Sequence, residues 1–184
     1  MTPRQRDRRQ RLIDAGMAAL SRADYHGIQV KDVARQAGVS LGSLYSYFSS
    51  KERFFAEVLV HWAENLPSRM KHRPPFQISP TDRLRDVVHR ALHAFEREPH
   101  MAGMVSVLTM STDPASMELI HRLDRATTDV YLQALVGIDP VRSRQIVNVV
   151  QAVFGTELHQ WTLGRKSMRQ VYDQLDSTID LLLG

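Results

Sequence analysis

Apolar residues recur at intervals of three or four along most of this 184-residue chain, which places them on one face of a helix. The first such stretch covers about residues 8–23, with Leu12, Ile13, Met17 and Leu20 on its apolar face. Later stretches begin at residue types that commonly start helices, at Pro80, Pro99, Pro114, Pro140 and Ser167. A proline-rich loop is predicted over 71–80, and no segment alternates as a strand would. The pattern therefore predicts an all-α chain of about nine helices.

Residues 30–53, VKDVARQAGVSLGSLYSYFSSKER, form the most informative stretch. Its first part carries three apolar residues at helical spacing, Val33, Ala34 and Ala37. Gly38 follows where a helix needs a left-handed residue to stop, and Ser40 is an N-cap type for a second short helix over 41–48. Two helices joined by a turn of three or four residues make a helix-turn-helix, whose second helix can enter the major groove of DNA.

The side chains of this second helix are suited to DNA. The residues predicted to face base edges are Ser40, Leu41, Gly42 and Ser43. Most of them are small enough to let a backbone come close, and the leucine is a candidate for contact with a thymine methyl group. The residues predicted to hold phosphates are Tyr45, Tyr47 and Lys51, which supply hydroxyl groups and a positive charge.

The positive charge is concentrated on the same part of the chain. Residues 1–53 contain 10 Lys and Arg residues against 5 Asp and Glu residues, whereas residues 54–184 contain 14 against 15. A solvated basic tail would explain the charge alone. Because the excess coincides with the helix-turn-helix, we interpret it as a surface that binds DNA phosphates.

Residues 8–58 resemble the DNA-binding domain of the TetR family of bacterial repressors. The resemblance lies in LIDAGMAAL in the first helix, VKDVARQAGVS in the second, and LGSLYSYFSSKERFFAEVL in the third and the start of the fourth. It implies a helix-turn-helix domain over 1–53 and an effector-binding and dimerisation domain over 54–184. It also implies a homodimer that binds a palindromic, double-stranded DNA operator.

The chain departs from the family pattern at two positions. Asp24 stands where the family usually has glycine, and we expect the turn to persist because aspartate tolerates a left-handed conformation. Gln29 stands where the family usually has a Ser or Thr that caps the second helix, so that contact is not expected. Ser49 or Ser50 is expected to cap the fourth helix. The basic segment that includes Arg4 is either disordered or, as in this family, an arm that reaches a phosphate or the minor groove.

The last two helices suggest a dimer. Apolar residues between 146 and 161 cover more than one face, and residues 168–182 carry an apolar seam at helical spacing. Both helices would show the same pattern if they packed only inside their own subunit. The family resemblance implies pairing through these helices, and the predicted interface residues are Val149, Val153, Val171, Leu175 and Ile179.

An effector cavity is predicted in the second domain, where methionine and aromatic residues are frequent. Methionine adapts to irregular apolar surfaces, although such a stripe at helical spacing is also typical of plain core. The family resemblance favours a cavity, and the predicted lining residues are Trp62, Phe95, Met104, Leu108, Leu123, Phe154 and Trp161. His121 and His159 either donate to the effector or are buried histidines with protein partners. Residues 84–183 are similar to actinobacterial regulators of sterol and lipid catabolism, which implies an apolar, lipid or sterol-like effector.

No catalytic residue, cofactor or metal site is predicted. Residues 38–42 match the GxSxG pattern of a hydrolase nucleophile elbow, but that elbow needs a preceding strand, so we interpret Ser40 as a helix cap. His89 and His93 lie four residues apart without a third ligand. The chain has no cysteine and no apolar run long enough to span a membrane, so we expect a soluble, cytoplasmic protein.

The expected function is a ligand-responsive regulator, of the repressor type that the family resemblance implies, that changes between two states. In one state the dimer holds its recognition helices about 34–36 Å apart, and an effector that prefers the other state tilts the fourth helix and disturbs that spacing. The alternative is an architectural DNA-binding protein without an effector, which would bind without sequence preference.

Overall fold

A computed structural model of the chain describes residues 1–69 and 78–184, without the side chains of residues 66–69, 115, 116 and 126. These residues contain nine helices and no strand. The helices are α1 (Pro3–Leu20), α2 (Val30–Gln36), α3 (Leu41–Tyr47), α4 (Lys51–Arg69), α5 (Pro80–Arg97), α6 (Pro99–Thr109), α7 (Pro114–Ala134), α8 (Pro140–Thr162) and α9 (Met168–Leu183). The predicted all-α fold is confirmed, and the loop predicted over 71–80 lies mostly outside the described residues.

Side-chain caps explain where several helices begin. Ser79 Oγ accepts from the Asp82 amide at 3.1 Å at the start of α5, and Asp139 Oδ1 accepts from the Arg142 amide at 2.9 Å at the start of α8. Ser167 forms a capping box with Gln170 at the start of α9. Each cap satisfies an amide that has no partner within its helix and contributes about 1 kcal/mol.

The first helix begins earlier than the apolar pattern predicted. Thr2 and Gln5 form a capping box, and Pro3 occupies the first helical position, so α1 includes the basic segment that was predicted to be disordered or an arm. The apolar pattern missed this start because the added turns carry almost no apolar residues. The helix also ends at Leu20, three residues before the predicted end.

Local interactions settle the turns on either side of α2 and α3. Asp24 is not left-handed, because no non-glycine residue in the described ranges has a positive φ; its carboxylate instead accepts from the Gly27 amide at 2.9 Å. Gln29 makes no side-chain cap, as predicted. Of the two serines proposed to cap α4, Ser50 is the one whose Oγ accepts from the Arg53 amide, at 3.0 Å.

The described residues group into two compact units. Unit 1 comprises Met1–Asn65 and Gly103–Leu123. Its core contains fully buried aromatic rings, with Phe48 and Phe54 centroids 5.0 Å apart. A Cβ atom on Gly16 of α1 would lie 2.6 Å from Val58 Cγ2 and 2.8 Å from Phe54 Cζ, so α1 approaches α4 closely enough to require glycine. This packing fixes α1 and α4 as the support for the short helices α2 and α3.

Unit 2 comprises the described part of Leu66–Ala102 together with Asp124–Gly184. Its core combines side chains of α5, the end of α7, α8 and α9. The buried Arg83 of α5 donates to the carbonyl oxygens of Ala134 at 2.8 Å, Val136 at 2.6 Å and Ile78 at 2.7 Å. The bonds to Ala134 and Val136 satisfy carbonyls at the C-terminal end of α7 that lack partners within the helix, and the bond to Ile78 reaches the segment before α5. Arg83 therefore joins the end of α7 to the start of α5.

The predicted dimer interface needs a correction in α9. Val171, Leu175 and Ile179 are each 0% exposed and belong to the core of unit 2. A side chain without exposed surface cannot contact a second chain. The apolar seam of α9 therefore packs inside its own subunit, and the assignment of these three residues to the interface is wrong. Val149 is 43% exposed and Val153 is half-buried, so both still have surface for a partner.

Candidate nucleic-acid interface

The helix-turn-helix begins with an abrupt end to α2. Gly38 adopts a φ of +67°, which an L-residue with a side chain rarely tolerates, and the Val39 amide bonds back to the Ala34 carbonyl at 3.0 Å. Ser40 then caps α3, because its Oγ accepts from the Ser43 amide at 3.1 Å. The turn and cap predicted from Gly38 and Ser40 are thus both present.

Recognition helix α3 is held by one inward side chain and presents the others outward. Leu44 is its buried residue, at 0% exposure. Leu41 and Tyr45 are 41% and 43% exposed, and Ser40 and Gly42 are also exposed. Ser43 is half-buried, with its Oγ 3.0 Å from Ser40 Oγ. The structure therefore brings the predicted base-facing residues together at the start of α3.

Gly42 has no role in packing within the described structure. A Cβ atom there would have only Ser40 Oγ nearby, at 4.0 Å, and the residue lies in an ordinary helical conformation. A helical position with free space normally favours alanine over glycine. The glycine therefore suits a surface that another molecule approaches closely.

The predicted phosphate contacts differ in how available they are. Tyr45 is exposed, whereas Tyr47 is half-buried with its ring 6.3 Å from that of Phe48. Arg4 is exposed in the first turn of α1, not in an extended arm. Contact of these three residues with DNA remains a prediction.

Lys51 has an internal role that the sequence did not indicate. Its Nζ donates to the Ile28 carbonyl at 2.7 Å and lies 4.5 Å from the centre of the Tyr25 ring. Burial lowers the pKa of the Lys51 ammonium group, and the Asp24 carboxylate opposes that shift. The ammonium therefore joins the start of α4 to the α1–α2 connection. The ammonium group has other N–H groups besides the one bound to Ile28, and their contact with a phosphate remains a prediction.

The residues predicted to line an effector cavity are divided between the two units. Trp62, Met104 and Leu108 are buried in unit 1, which also contains the half-buried Leu123. Phe95, Phe154 and Trp161 lie in unit 2, where the rings of Phe95 and Phe154 are 6.1 Å apart. All seven lie wholly or partly out of solvent, as either a cavity lining or plain core requires. Their role in effector binding remains a prediction.

Two polar contacts within unit 1 escaped the sequence analysis. Ser111, after α6, donates to a carboxylate oxygen of Glu52 in the first turn of α4, and Ser111 Oγ also accepts from the Asp113 amide at 3.1 Å. On α7, Arg122 Nη2 lies 2.7 Å from Glu64 Oε1 of α4. The partners are more than fifty residues apart in sequence, so no local pattern could indicate them. Together they join α6 and α7 to α4.

The competing chemical motifs have ordinary structural partners. Ser40 Oγ is engaged at the start of a helix, and His89 Nε2 lies 2.7 Å from Asp176 Oδ1. Among the described residues no three His, Cys, Asp or Glu side chains are grouped to hold a metal ion. None of the described helices is both long and apolar enough to cross a membrane.

Comparison with known proteins identifies the family. A model of bacterial regulatory proteins of the tetR family matches residues 12–58, and a model of tetracyclin repressor-like C-terminal domains matches residues 78–182. The chain is 28% identical to the HTH-type transcriptional repressor KstR of Rhodococcus jostii over 181 residues, which cover 98% of this chain and 84% of the relative.

Solved structures share the fold over nearly the whole chain. A TetR transcriptional regulator from Rhodococcus sp. RHA1 superimposes with a TM-score of 0.84 at 25% identity, covering 98% of this chain and 97% of the other. The regulator FadR from Bacillus subtilis, in complex with stearoyl-CoA, has a TM-score of 0.71 at 18% identity and covers 95% and 97%. The predicted family is thereby confirmed: the chain belongs to the tetR family of bacterial regulatory proteins and is a DNA-binding transcription regulator, not an enzyme.

Proposed function

We propose that the protein is a repressor whose homodimer binds a palindromic operator and is released by a mostly apolar small-molecule effector. The observation that carries the proposal is the capped helix α3, which presents Leu41, Gly42 and Tyr45 outward within the basic segment 1–53. Small side chains at the start of a recognition helix allow close approach to base edges, and nearby hydroxyl groups suit phosphate oxygens. Since bacterial DNA lies in the cytoplasm, the protein acts there.

A pair of recognition helices is needed for a specific site. Helix α3 has 7 residues and is about 10 Å long, so one copy reaches only a few base pairs. Two copies about 34–36 Å apart would meet successive major grooves on one side of the duplex. Pairing doubles the site and raises the specificity over random DNA.

We place the pairing surface on the outward faces of α8 and α9. The residues that support this are exposed or half-buried and lie at helical spacing: Val149, Ala152, Val153 and Thr156 on α8, and Gln174, Ser177 and Leu181 on α9. On α9 they take the place of Val171, Leu175 and Ile179, which are buried. A Val149→Arg substitution is expected to convert the dimer to a monomer in sedimentation velocity, whereas Arg144→Ala on the same helix leaves the dimer intact.

A lipid or sterol-like effector is supported by the composition of the predicted lining. Its seven residues are all apolar or aromatic, and a further methionine, Met101, is buried on α6 together with Met104. The fold is shared with a regulator solved in complex with stearoyl-CoA. That likeness supports the capacity of such a fold to hold an acyl chain. The titration described below tests this effector class.

Helix α4 provides the route by which an effector alters DNA binding. The contacts Ser111–Glu52 and Arg122–Glu64 join α6 and α7 to this helix, and Glu52 lies five residues after the end of α3. Helices α6 and α7 each contribute residues to both units, so they connect unit 2 covalently to these contacts. An effector that prefers another arrangement of α6 and α7 would shift α4, with coupling typically of about 1–3 kcal/mol. By linkage, operator DNA would weaken effector binding by the same factor.

Selection of duplexes from a random pool with the full-length protein tests the operator. The expected product is a palindrome whose half-sites are one helical turn apart. If no sequence is enriched, and unrelated competitor duplexes all displace the bound DNA equally well at fixed salt, the architectural alternative is supported.

Titration of the selected complex with stearoyl-CoA, against coenzyme A alone, then tests the effector class. The proposal expects release by the acyl thioester only. Equal behaviour of the two compounds would contradict a response to the acyl chain and leave the DNA-binding result standing.

A further inference from the structure

Two arginines of α1 contact residues on either side of the recognition helix, Arg11 in the turn before α3 and Arg9 at its C-cap. Arg11 Nη1 donates to the carbonyl oxygen of Ala37 at 3.0 Å, and the same nitrogen would lie 3.4 Å from a Cβ atom on Gly38. Ala37 is the C-cap of α2, where carbonyl groups lack helical partners and the helix dipole is negative. Arg11 therefore contacts the turn that leads into α3.

Arg9 contacts the other end of α3. Its guanidinium carbon lies 5.5 Å from the centre of the Phe48 ring, and its Nη2 is 2.7 Å from Glu57 Oε2 on α4. Phe48 is the C-cap of α3 and is 1% exposed. A guanidinium over an aromatic face and paired with a carboxylate has a well-defined position. The residue that ends α3 is thus tied to both α1 and α4.

We infer that Arg9 and Arg11 are positioning residues for DNA recognition, acting through the orientation of α3 and not through contact with DNA. The inference rests on the proposed function of α3. A helix of 7 residues is far below the length of about 12–15 at which an isolated helix is stable, and Leu44 is its one buried residue. Its direction therefore depends on the turn that precedes it and on the residue that ends it, and these arginines contact both.

Two of the remaining arginines near the start of α1 behave differently. Arg4 and Arg6 are exposed, and their side chains have no hydrogen-bond or ion-pair partner among the described residues. They are the ones available for phosphate contacts. The basic segment thus divides into outward charges that attract DNA and inward charges that orient the recognition helix.

The salt dependence of DNA binding separates the two roles. For duplex DNA, each phosphate contact steepens the fall of log K with log salt concentration by about 0.9, whereas a positioning residue leaves that slope unchanged. Arg11→Gln is expected to weaken binding to the duplex selected by the wild-type protein roughly tenfold, as the loss of a charged hydrogen bond implies. Its slope on random duplex should equal that of wild type. Arg4→Gln is the matched control. It should make that slope shallower by about 0.9 and weaken binding to both duplexes alike.

Hydrogen exchange in the DNA-free protein tests the same inference without an operator. In Arg11→Gln the amides of residues 39–44 should exchange faster, while those of α1 and α4 keep their protection. Arg11→Lys, which retains a donor and the charge, should restore part of the protection and of the specific affinity. A fall in salt slope equal to that of Arg4→Gln would show a direct phosphate contact and overturn the inference, as would unchanged exchange at 39–44. Should wild-type protein select no sequence, the proposed function fails, and the exchange result still decides the positioning role.

Discussion

Helices α3 and α9 begin alike, each with a serine cap, but they differ in what each side chain contacts. Helix α3 has 7 residues, of which only Leu44 is buried, and apart from Leu41 its outward side chains are small, hydroxylated or aromatic. Helix α9 has 16 residues and buries Val171, Leu175 and Ile179 completely. The first helix thus depends on its neighbours for its position and offers its surface to a ligand. The second contributes its apolar face to the core and has mainly polar side chains outside.

The comparison is tested most strongly by shortening one leucine on each face of α9. Leu175 is 0% exposed and Leu181 is 86% exposed. Leu175→Ala removes contacts and leaves a cavity, so we expect the free energy of unfolding to fall by about 2–5 kcal/mol. At protein concentrations low enough for the monomer to predominate, Leu181→Ala is expected to change it by less than about 0.5 kcal/mol, since Leu181 otherwise lies on the proposed pairing surface. Urea denaturation of both variants provides the measurement, and equal effects would contradict the described burial.

The same contrast explains which predictions succeeded. Exposed small and polar residues at the start of a capped helix have few interpretations, so the face of α3 was predictable from residues 40–45. An apolar residue at helical spacing has two interpretations, because it packs either in the core of its own subunit or against a partner subunit. Val171 and Leu175 follow the same pattern in both cases. Only the positions of α5 and α8, which no local pattern specifies, show that their partners lie within the chain.

Substitutions at Lys51 and Tyr45 separate internal contacts from exposed ones. Lys51→Ala loses the bond to the Ile28 carbonyl and the contact with the Tyr25 ring, so we expect a stability loss of about 1 kcal/mol besides weaker DNA binding. Tyr45→Phe removes only an exposed hydroxyl group, and it should weaken binding to all duplexes while leaving the thermal midpoint unchanged. Thermal unfolding and DNA titration on the same samples give both quantities.

A Lys51→Ala variant as stable as wild type would show that the Ile28 bond contributes little. The sequence did not reveal this bond because its partner is a backbone carbonyl 23 residues away, brought near by the packing of α1 against α4. A carbonyl has no residue type, so no side-chain pattern marks it. The internal contacts of Arg9 and Arg11 went unpredicted for related reasons, since their partners come from other helices.

Helix α4 follows α3 directly. Ser111→Ala tests whether the Ser111–Glu52 contact at the start of α4 couples effector binding to the release of DNA. The hydroxyl group donates to Glu52, so its loss should cost about 0.5–1.5 kcal/mol of stability, with a smaller effect on DNA affinity. The proportion of complex that stearoyl-CoA releases should fall, because one connection between α6 and α4 is missing. Thr109→Val on α6 serves as the control, because the Thr109 hydroxyl group donates to the Val105 carbonyl of the same helix at 2.8 Å. Identical release curves for the two variants would count against Ser111 in coupling.

The smallest change sharpens the comparison most, because it should move stability and DNA binding in opposite directions. Among the described residues outside its own helix backbone and chain neighbours, a Cβ atom at Gly42 would approach nothing closer than 4.0 Å, so Gly42→Ala is expected to raise the free energy of unfolding by up to about 1 kcal/mol. At a base-facing position, the added methyl group should nevertheless weaken binding to the selected duplex. Gly155→Ala provides the control, because that helical glycine also has open space but belongs to α8, which contains none of the predicted DNA-binding residues. A gain in stability from both substitutions, with loss of DNA affinity only at Gly42, would mean that glycine is retained at the start of α3 for the approach of DNA and not for the fold.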